Sequence, residues 1–464
     1  MSSPRGDALR LTGVSSVRLV GAGASGVRSW RVRPVAMLRV VILLLVIGQL
    51  GRIPVLSTGT SEAPLLVNDI CVMALIAVTF VSALAARSFR VDSVGGVMLA
   101  FAAIGFISAL FAVPRFGLSP LALLVSLAYL ARWFVYFLVY LVVINIVRAD
   151  DVMDVWRSLE TMMLAFAVFG IIQAIFLPHF AQIVYPDSRV YVDWDEQGHR
   201  LVSTMLEPNI AGSMLMLMLL VNVAQLAAGE PVEFWKPLVF LGALVATLSR
   251  SSFLGLVAGL MVVLAVRGIS RRLLRLGMVV GVLLIAALPK LIVYAARFNK
   301  LTLSDPSAMS RVMAWLRALR IWADHPVFGI GFNTYGYVVE TYGGIRRGAA
   351  SFSSDGGLLF IAVMTGLVGL ALYLSMLALV VKRCRGIWRS PVARPEWRAL
   401  SVGIAAGTVA ICVHATFVNS LLTPFVMEML WVLWGLAFVM RRGAGRADAR
   451  SGGVRVAAVG PSER

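Results

Sequence analysis

Charged residues are scarce in this chain. Of 464 residues only 14% are Asp, Glu, Lys or Arg, where soluble proteins carry about 25%, and the mean hydropathy is +0.88. A chain with so few charges cannot cover a water-facing surface, which excludes a soluble globular enzyme. Acidic residues are the scarcer sign, 23 against 42 basic ones, leaving a net charge of +19. In so apolar a chain a basic excess follows from membrane topology and anionic lipid, so no nucleic-acid partner is expected. Cysteine is nearly absent: Cys71 and Cys412 fall in apolar runs and Cys384 in a basic loop. None is placed for an exported disulfide, and redox chemistry is not expected. The two halves of the chain also lack the mutual similarity that transporters built from repeats display, which argues against an alternating-access carrier.

Long apolar runs are what the chain has in quantity. Twelve of them, centred near residues 43, 76, 104, 132, 168, 216, 242, 259, 283, 369, 409 and 431, approach the roughly 20 residues that cross a hydrocarbon core. Lipid leaves backbone groups no partner outside the segment, so these runs predict helices: an all-α polytopic membrane protein of about 12 transmembrane helices. The stretch 234–266 is broken by "SRSS" at 249–252 and could be one tilted helix or two short ones. A single helix would export both "RGISRRLLR" (267–275) and "KRCRGIWRS" (382–390), against the positive-inside rule. The sequence therefore predicts a hairpin turning at 249–252, with both termini cytoplasmic.

This topology divides the chain into a disordered basic tail at 1–34, helices over 35–294, a long extracytoplasmic loop at 295–355, further helices over 356–442 and a disordered tail at 443–464. The long loop contains "IWADHPVFGIGFNTYG" (321–336), a polar, glycine-punctuated stretch that ends a surface helix and is expected to turn the chain back over the membrane. "GAGASG" at 21–26 matches a dinucleotide-binding spacing, but the chain enters the membrane where that fold needs a helix, a strand and an acidic residue. No cofactor follows from it.

The chemistry-bearing residues lie on the outer side of this topology. Arg250 stands in the hairpin turn, where a recessed guanidinium either grips a phosphate or pyrophosphate or snorkels to lipid headgroups. In "MSRVMAWLRALRIWA" (309–323), Met309, Val312, Leu316 and Leu319 form one stripe of an amphipathic helix on the outer leaflet. On its wheel Arg317 and Arg320 project to the polar side, and Arg311 falls at the edge of the apolar face near Trp315. Arg132, in the fourth span, could serve the same cavity or snorkel past a Trp. His325 precedes Pro326 and serves either catalysis or a structural hydrogen bond at the helix end. "VDWDEQGH" (192–199) offers Asp193, Asp195, Glu196 and His199, a spacing that suits a divalent cation and also occurs freely in solvated loops. Asp355 and Gly356 stand where the long loop re-enters the membrane. Asp355 is either a general base or a helix cap, and Gly356 and Gly357 would let a sugar approach the backbone.

"LSRSSFLGL" (248–256), "SRVMAWLRALRIWADHPVFGIGFNTY" (310–335) and "SDGGLLFIAVMTGLVGL" (354–370), with "EPNIAG" (207–212) before them, resemble in order and spacing the O-antigen ligase and polymerase family. The resemblance covers about residues 200–440. It implies a GT-C-like glycosyltransferase of the cytoplasmic (inner) membrane that works on an undecaprenyl-diphosphate-linked oligosaccharide without metal or cofactor. Its partners would be that donor, membrane lipid and other polysaccharide assembly proteins. Arg250 and Arg311 match the family's diphosphate-holding arginines. The ligase branch carries His then Asn about ten residues before the Gly-x-x-Gly at 366–369, and here that place is Asp355 with Gly356. The departure shifts the expectation toward a repeat-unit polymerase, with a ligase of the same family, or a 12-span flippase, as alternatives.

Overall fold

The computed structural model describes residues 34–57, 62–85, 87–186, 198–282, 285, 306–343 and 356–457. It is all-α apart from one small hairpin, and ten of its helices are long and apolar enough to cross a membrane. They are α1 (Pro34–Leu44, continued as a 3-10 turn to Gly51), α2 (Val67–Ala85), α3 (Ser93–Phe116), α4 (Pro120–Ile146), α5 (Val152–Phe176), α7 (Pro208–Ala227), α9 (Arg250–Arg267), α13 (Gly357–Trp388), α14 (Pro395–His414) and α15 (Pro424–Ala457). An eleventh segment is the shorter α8 (Trp235–Thr247). Of the twelfth expected span, residues 271–282 form α10, and the rest apart from residue 285 lies outside the described residues. Between the spans lie the strands β1 (Arg52–Ser57) and β2 (Glu62–Leu66), the short α6 (Phe180–Val184) and α12 (Tyr335–Val338), and α11 (Pro306–Asp324).

Local chemistry sets the boundaries. Proline opens α4, α7, α14 and α15, where its missing N–H costs nothing and its fixed φ suits the first turn. The Asp92 and Ser119 side chains cap α3 and α4 by accepting from the Gly95 and Ala122 amides at 3.0 and 3.2 Å. The expected hairpin is present: α8 stops at Thr247, Leu248 turns left-handed (φ 53°), and Ser249 caps α9. The last helix runs on past residue 442. The tail expected to be disordered from 443 is therefore helical as far as Ala457.

Lipid supplies no hydrophobic drive between helices, so close packing of small residues must hold the bundle together. Every residue of the apolar stretch of α7 is buried, against about a third on α2, α3 and α9, which makes α7 the interior helix. Gly255 and Gly259 bring α9 onto α7 and α14. A Cβ at either would lie within 2.5 Å of Met216 or Leu220 side-chain atoms, and 2.7 and 3.1 Å from the Ala410 and Ala406 carbonyls. Gly403 does the same for α14, where a Cβ would stand 2.6 Å from the Val221 Cα.

One expected path is corrected. Residues 325–334 do not turn back over the membrane; they pack into a break in α13. Gly366 there has φ 68° and ψ −167°, a conformation open to glycine but not to side-chain-bearing residues. The break frees backbone groups, and the loop supplies their partners. Ile330 and Gly331 N–H donate to the Val363 and Met364 carbonyls at 2.9 and 3.1 Å, and Leu367 and Val368 N–H donate to Pro326 and Val327 at 2.7 and 3.3 Å. On α3, the Ser108 hydroxyl stands 2.5 Å from the Phe328 carbonyl and 2.8 Å from that of Met364. Non-helical backbone survives at such depth only when buried in protein and hydrogen-bonded in this way.

Candidate functional site

Four helices, α7, α9, α13 and α15, begin at the end of the bundle where α11 and the inserted loop lie. The segment between α14 and α15, residues 415–423, ties them together. Gly357 N–H donates to Val418 O and Leu358 N–H to Ala415 O, both at 3.3 Å. Trp315 of α11 packs on Phe417 with ring centroids 5.5 Å apart. The Ser249 cap of α9 donates to Asn209 Oδ1 at 3.1 Å, and the Asn209 backbone lies beside the His414 ring. His414 Nδ1 in turn sits 2.9 Å from Ser420 Oγ. Each helix start carries the positive end of its dipole, so this convergence favours anions.

A cavity of about 210 Å³ lies within this end of the bundle. Tyr129, Arg132, Trp133 and Tyr136 of α4 form one wall, Phe332 and Asn333 of the inserted loop and Phe360 and Met364 of α13 another, and Asn419, Thr423 and Pro424 a third. Aromatic faces beside amides and a hydroxyl suit a sugar ring, which has apolar C–H faces and an equatorial rim of hydroxyls. The Trp133 indole N–H is buried and has no acceptor among the described residues.

Arg132 is held rather than loose. Its Nη2 and Nε reach the two oxygens of Asp69 at 2.9 and 3.3 Å, a bidentate fork. Asp69 also accepts from the Leu66 N–H at 2.8 Å, as an N3 residue caps its own helix, and from the Tyr136 hydroxyl at 2.6 Å. Asn68 donates to Glu428 Oε2 at 2.6 Å and lies 3.3 Å from the Tyr136 hydroxyl. Asp69, Asn68 and Glu428 are all buried. Sequence reasoning passed over all three, although a lone Glu in "FVMEMLWVLW" (425–434) is the kind of intramembrane charge that marks a working site.

The other expected residues are placed as follows. Arg250 is exposed as the first residue of α9. On α11, Arg320 is exposed and Arg317 half-buried, while the side chain of Arg311 lies outside the described residues. The stripe Met309, Val312, Leu316, Leu319 faces outward, each 44–59% exposed, and Ala318 and Ile321 are fully buried on the opposite face. That is the disposition of a helix with lipid on one side and protein on the other. His325 packs edge-on against Phe116 at 5.3 Å, with Nε2 3.4 Å from the Tyr342 hydroxyl. Burial and then the nearby Arg115 charge lower its pKa from the ordinary 6.5. Asp355, Asp193, Asp195 and Glu196 lie outside the described residues, and His199 is exposed.

Gly356, expected to let a sugar approach the backbone, lies at the start of α13. It has φ 100°, and a Cβ would stand 2.7 Å from the Thr416 carbonyl and 3.4 Å from Trp315 Nε1. The protein's own backbone makes a close approach that requires a glycine here.

These stretches, the hairpin turn, α11, the inserted loop and the start of α13, fall within one segment of the chain. Residues 238–374 match the O-antigen ligase family. No curated protein matches the chain. The O-antigen ligase segment includes Arg250, Arg311, His325, Asp355 and Gly356. It stops short of α4, α15 and the 415–423 segment, which complete the cavity.

Proposed function

We propose that the protein polymerises polysaccharide repeat units, transferring glycan from an undecaprenyl-diphosphate-linked donor to an acceptor sugar on the outer side of the cytoplasmic membrane. The observation that carries this reading is the convergence of four helix N-termini, with Arg250 at one of them, beside an aromatic, amide-lined cavity. The acceptor hydroxyl attacks the anomeric carbon as the bond to the diphosphate oxygen breaks. Negative charge grows on the departing diphosphate, and positive groups fixed there in advance stabilise the transition state more than the ground state. Arg250 and Arg311 hold the diphosphate, with Arg317, Arg320 and Arg132 around the donor. The proton leaving the acceptor passes to Asp355, with His325 or the acidic loop at 193–196 as the alternative base.

The family description favours a ligase as the second reading, while the Asp355–Gly356 pair in place of the ligase branch's His and Asn favours a polymerase. Reconstitution in liposomes with lipid-linked oligosaccharide separates them. The polymerase reading expects a ladder of products one repeat apart together with free undecaprenyl diphosphate. A single transfer onto a different lipid acceptor would make the protein a ligase, and movement of intact donor across the bilayer would make it a flippase. Asp355→Asn should fold and bind donor yet form almost no polymer, because Asn caps a helix but is no base.

A further inference from the structure

At the end of the bundle opposite the sugar cavity, four separate pieces of chain surround a second cavity of about 650 Å³. Its lining includes Arg90 before α3, Arg148 after α4, Arg394 before α14, and Arg442 and Arg446 on α15, with Asp150 as the one acidic residue. Asp150 is already engaged, 2.8 Å from Arg394, and Arg394 also lies over the Trp397 ring at 4.8 Å. Asp151 accepts from the Arg148 backbone. Among the described residues, none of Arg90, Arg148, Arg442 and Arg446 is within ion-pair distance of a carboxylate. The contrast is Arg383 nearby, which is paired with Asp92, donates to the Tyr140 hydroxyl at 2.8 Å and lies over Phe438.

The segment carrying Arg90 is fixed in place. The Asn145 side chain accepts from the Arg90 N–H at 2.8 Å and donates to its carbonyl at 3.0 Å. Arg90 lines the basic cavity, while its neighbours Phe89 and Val91 line a different space, an apolar groove of about 320 Å³ between α2, α3 and α4. α4 divides in the same way: Leu138, Leu141 and Val142 border the groove, and Ile144 and Asn145 the cavity. The groove's single hydroxyl, that of Thr79, is spent on the Leu75 carbonyl at 2.8 Å. An apolar slot therefore adjoins a ring of forked cations at the end of the membrane-spanning helices.

We propose that the groove and the basic cavity together form a binding site for one anionic glycerophospholipid. The acyl chain occupies the α2–α3–α4 groove, and the phosphate sits among Arg90, Arg148, Arg442 and Arg446. Guanidinium forks match phosphate oxygens, and basic pockets between helices at the membrane surface recognise such headgroups. A free phosphate would satisfy the arginines but leave the adjoining groove without a role, which is why the lipid is favoured.

Native mass spectrometry of the purified full chain tests this, with phosphatidylglycerol or phosphatidylcholine added at equal concentration. The wild type should retain phosphatidylglycerol about fivefold or more over phosphatidylcholine. Arg148→Gln combined with Arg442→Gln should abolish that preference. Leu138→Trp, which fills the groove and leaves every arginine, should lower retention of both lipids, with all variants eluting as the wild type does. Equal retention of the two lipids by wild type, or unchanged preference in the arginine variant, would overturn the proposal. So would inorganic pyrophosphate binding that matches phosphatidylglycerol and is indifferent to Leu138→Trp, which would assign the cavity to a soluble phosphate. If the variants fail to elute as the wild type, pyrophosphate competition on the wild type alone decides: displacement of phosphatidylglycerol supports the shared phosphate site and its absence contradicts it.

Discussion

Asp69 and Arg132 show how a single charge pair is built from distant sequence. Arg132 was legible as a cation in an apolar run, whereas Asp69 was passed over, because their pairing depends on α2 and α4 lying side by side. Asn68 and Glu428 are 360 positions apart, and a residue list holds no trace of their contact. Breaking the Asp69–Arg132 pair leaves a partly buried guanidinium uncompensated. Asp69→Asn is therefore expected to cost about 3 kcal/mol of stability, read as a fall in thermal midpoint in detergent. His325 gives a second residue-scale prediction. Its protonated ring is disfavoured in the fold, so below the ordinary pKa of 6.5 the unfolded chain binds more protons than the native one. Its contribution is therefore intact above that pH and is lost as pH falls through it. Thermal midpoints measured across this range should decline on the acid side in the wild type, and less steeply in His325→Gln.

At the scale of elements, the hairpin at 249–252 was legible because charge placement forbade a single helix, and Ser249 and Leu248 carry out the turn. The break in α13 was not. "MTGLVGL" (364–370) reads as continuous helix, since glycine is tolerated in transmembrane helices and nothing local announces that residues 326–331 will hydrogen-bond there. Glycines 329, 331 and 336 did announce a tight path, but tertiary contacts decided that it runs inward. A Cβ at Gly366 would lie 2.0 Å from the Val327 carbonyl, on a residue with φ 68°. Gly366→Ala should thus expel the inserted loop, lowering folded yield and activity together, whereas Arg317→Ala on α11 should keep the folded yield and lower activity only mildly. Proteolysis within residues 325–334 would register the expulsion.

On the scale of the whole molecule, hydropathy and the positive-inside rule were enough for the polytopic helical architecture, because lipid restricts the backbone so severely. They could not reveal that α4 and α15, outside the segment with family likeness, complete the aromatic cavity. The sides of the membrane are open to direct test. A reporter active only outside the cytoplasm should be active when fused after residue 251 or near residue 340 and silent after residue 270. Activity at 270 would reverse the assignment of sides and remove the anion-favouring helix starts from the outer face. The grip on the departing diphosphate is probed most directly by polymer synthesis in liposomes by Arg250→Lys, at protein levels matched to wild type. A lysine keeps the charge but not the fork, so synthesis should fall nearly as far as in Arg250→Ala, on the order of a hundredfold. Full synthesis by Arg250→Lys would contradict the account and leave Arg250 as a lipid-facing anchor.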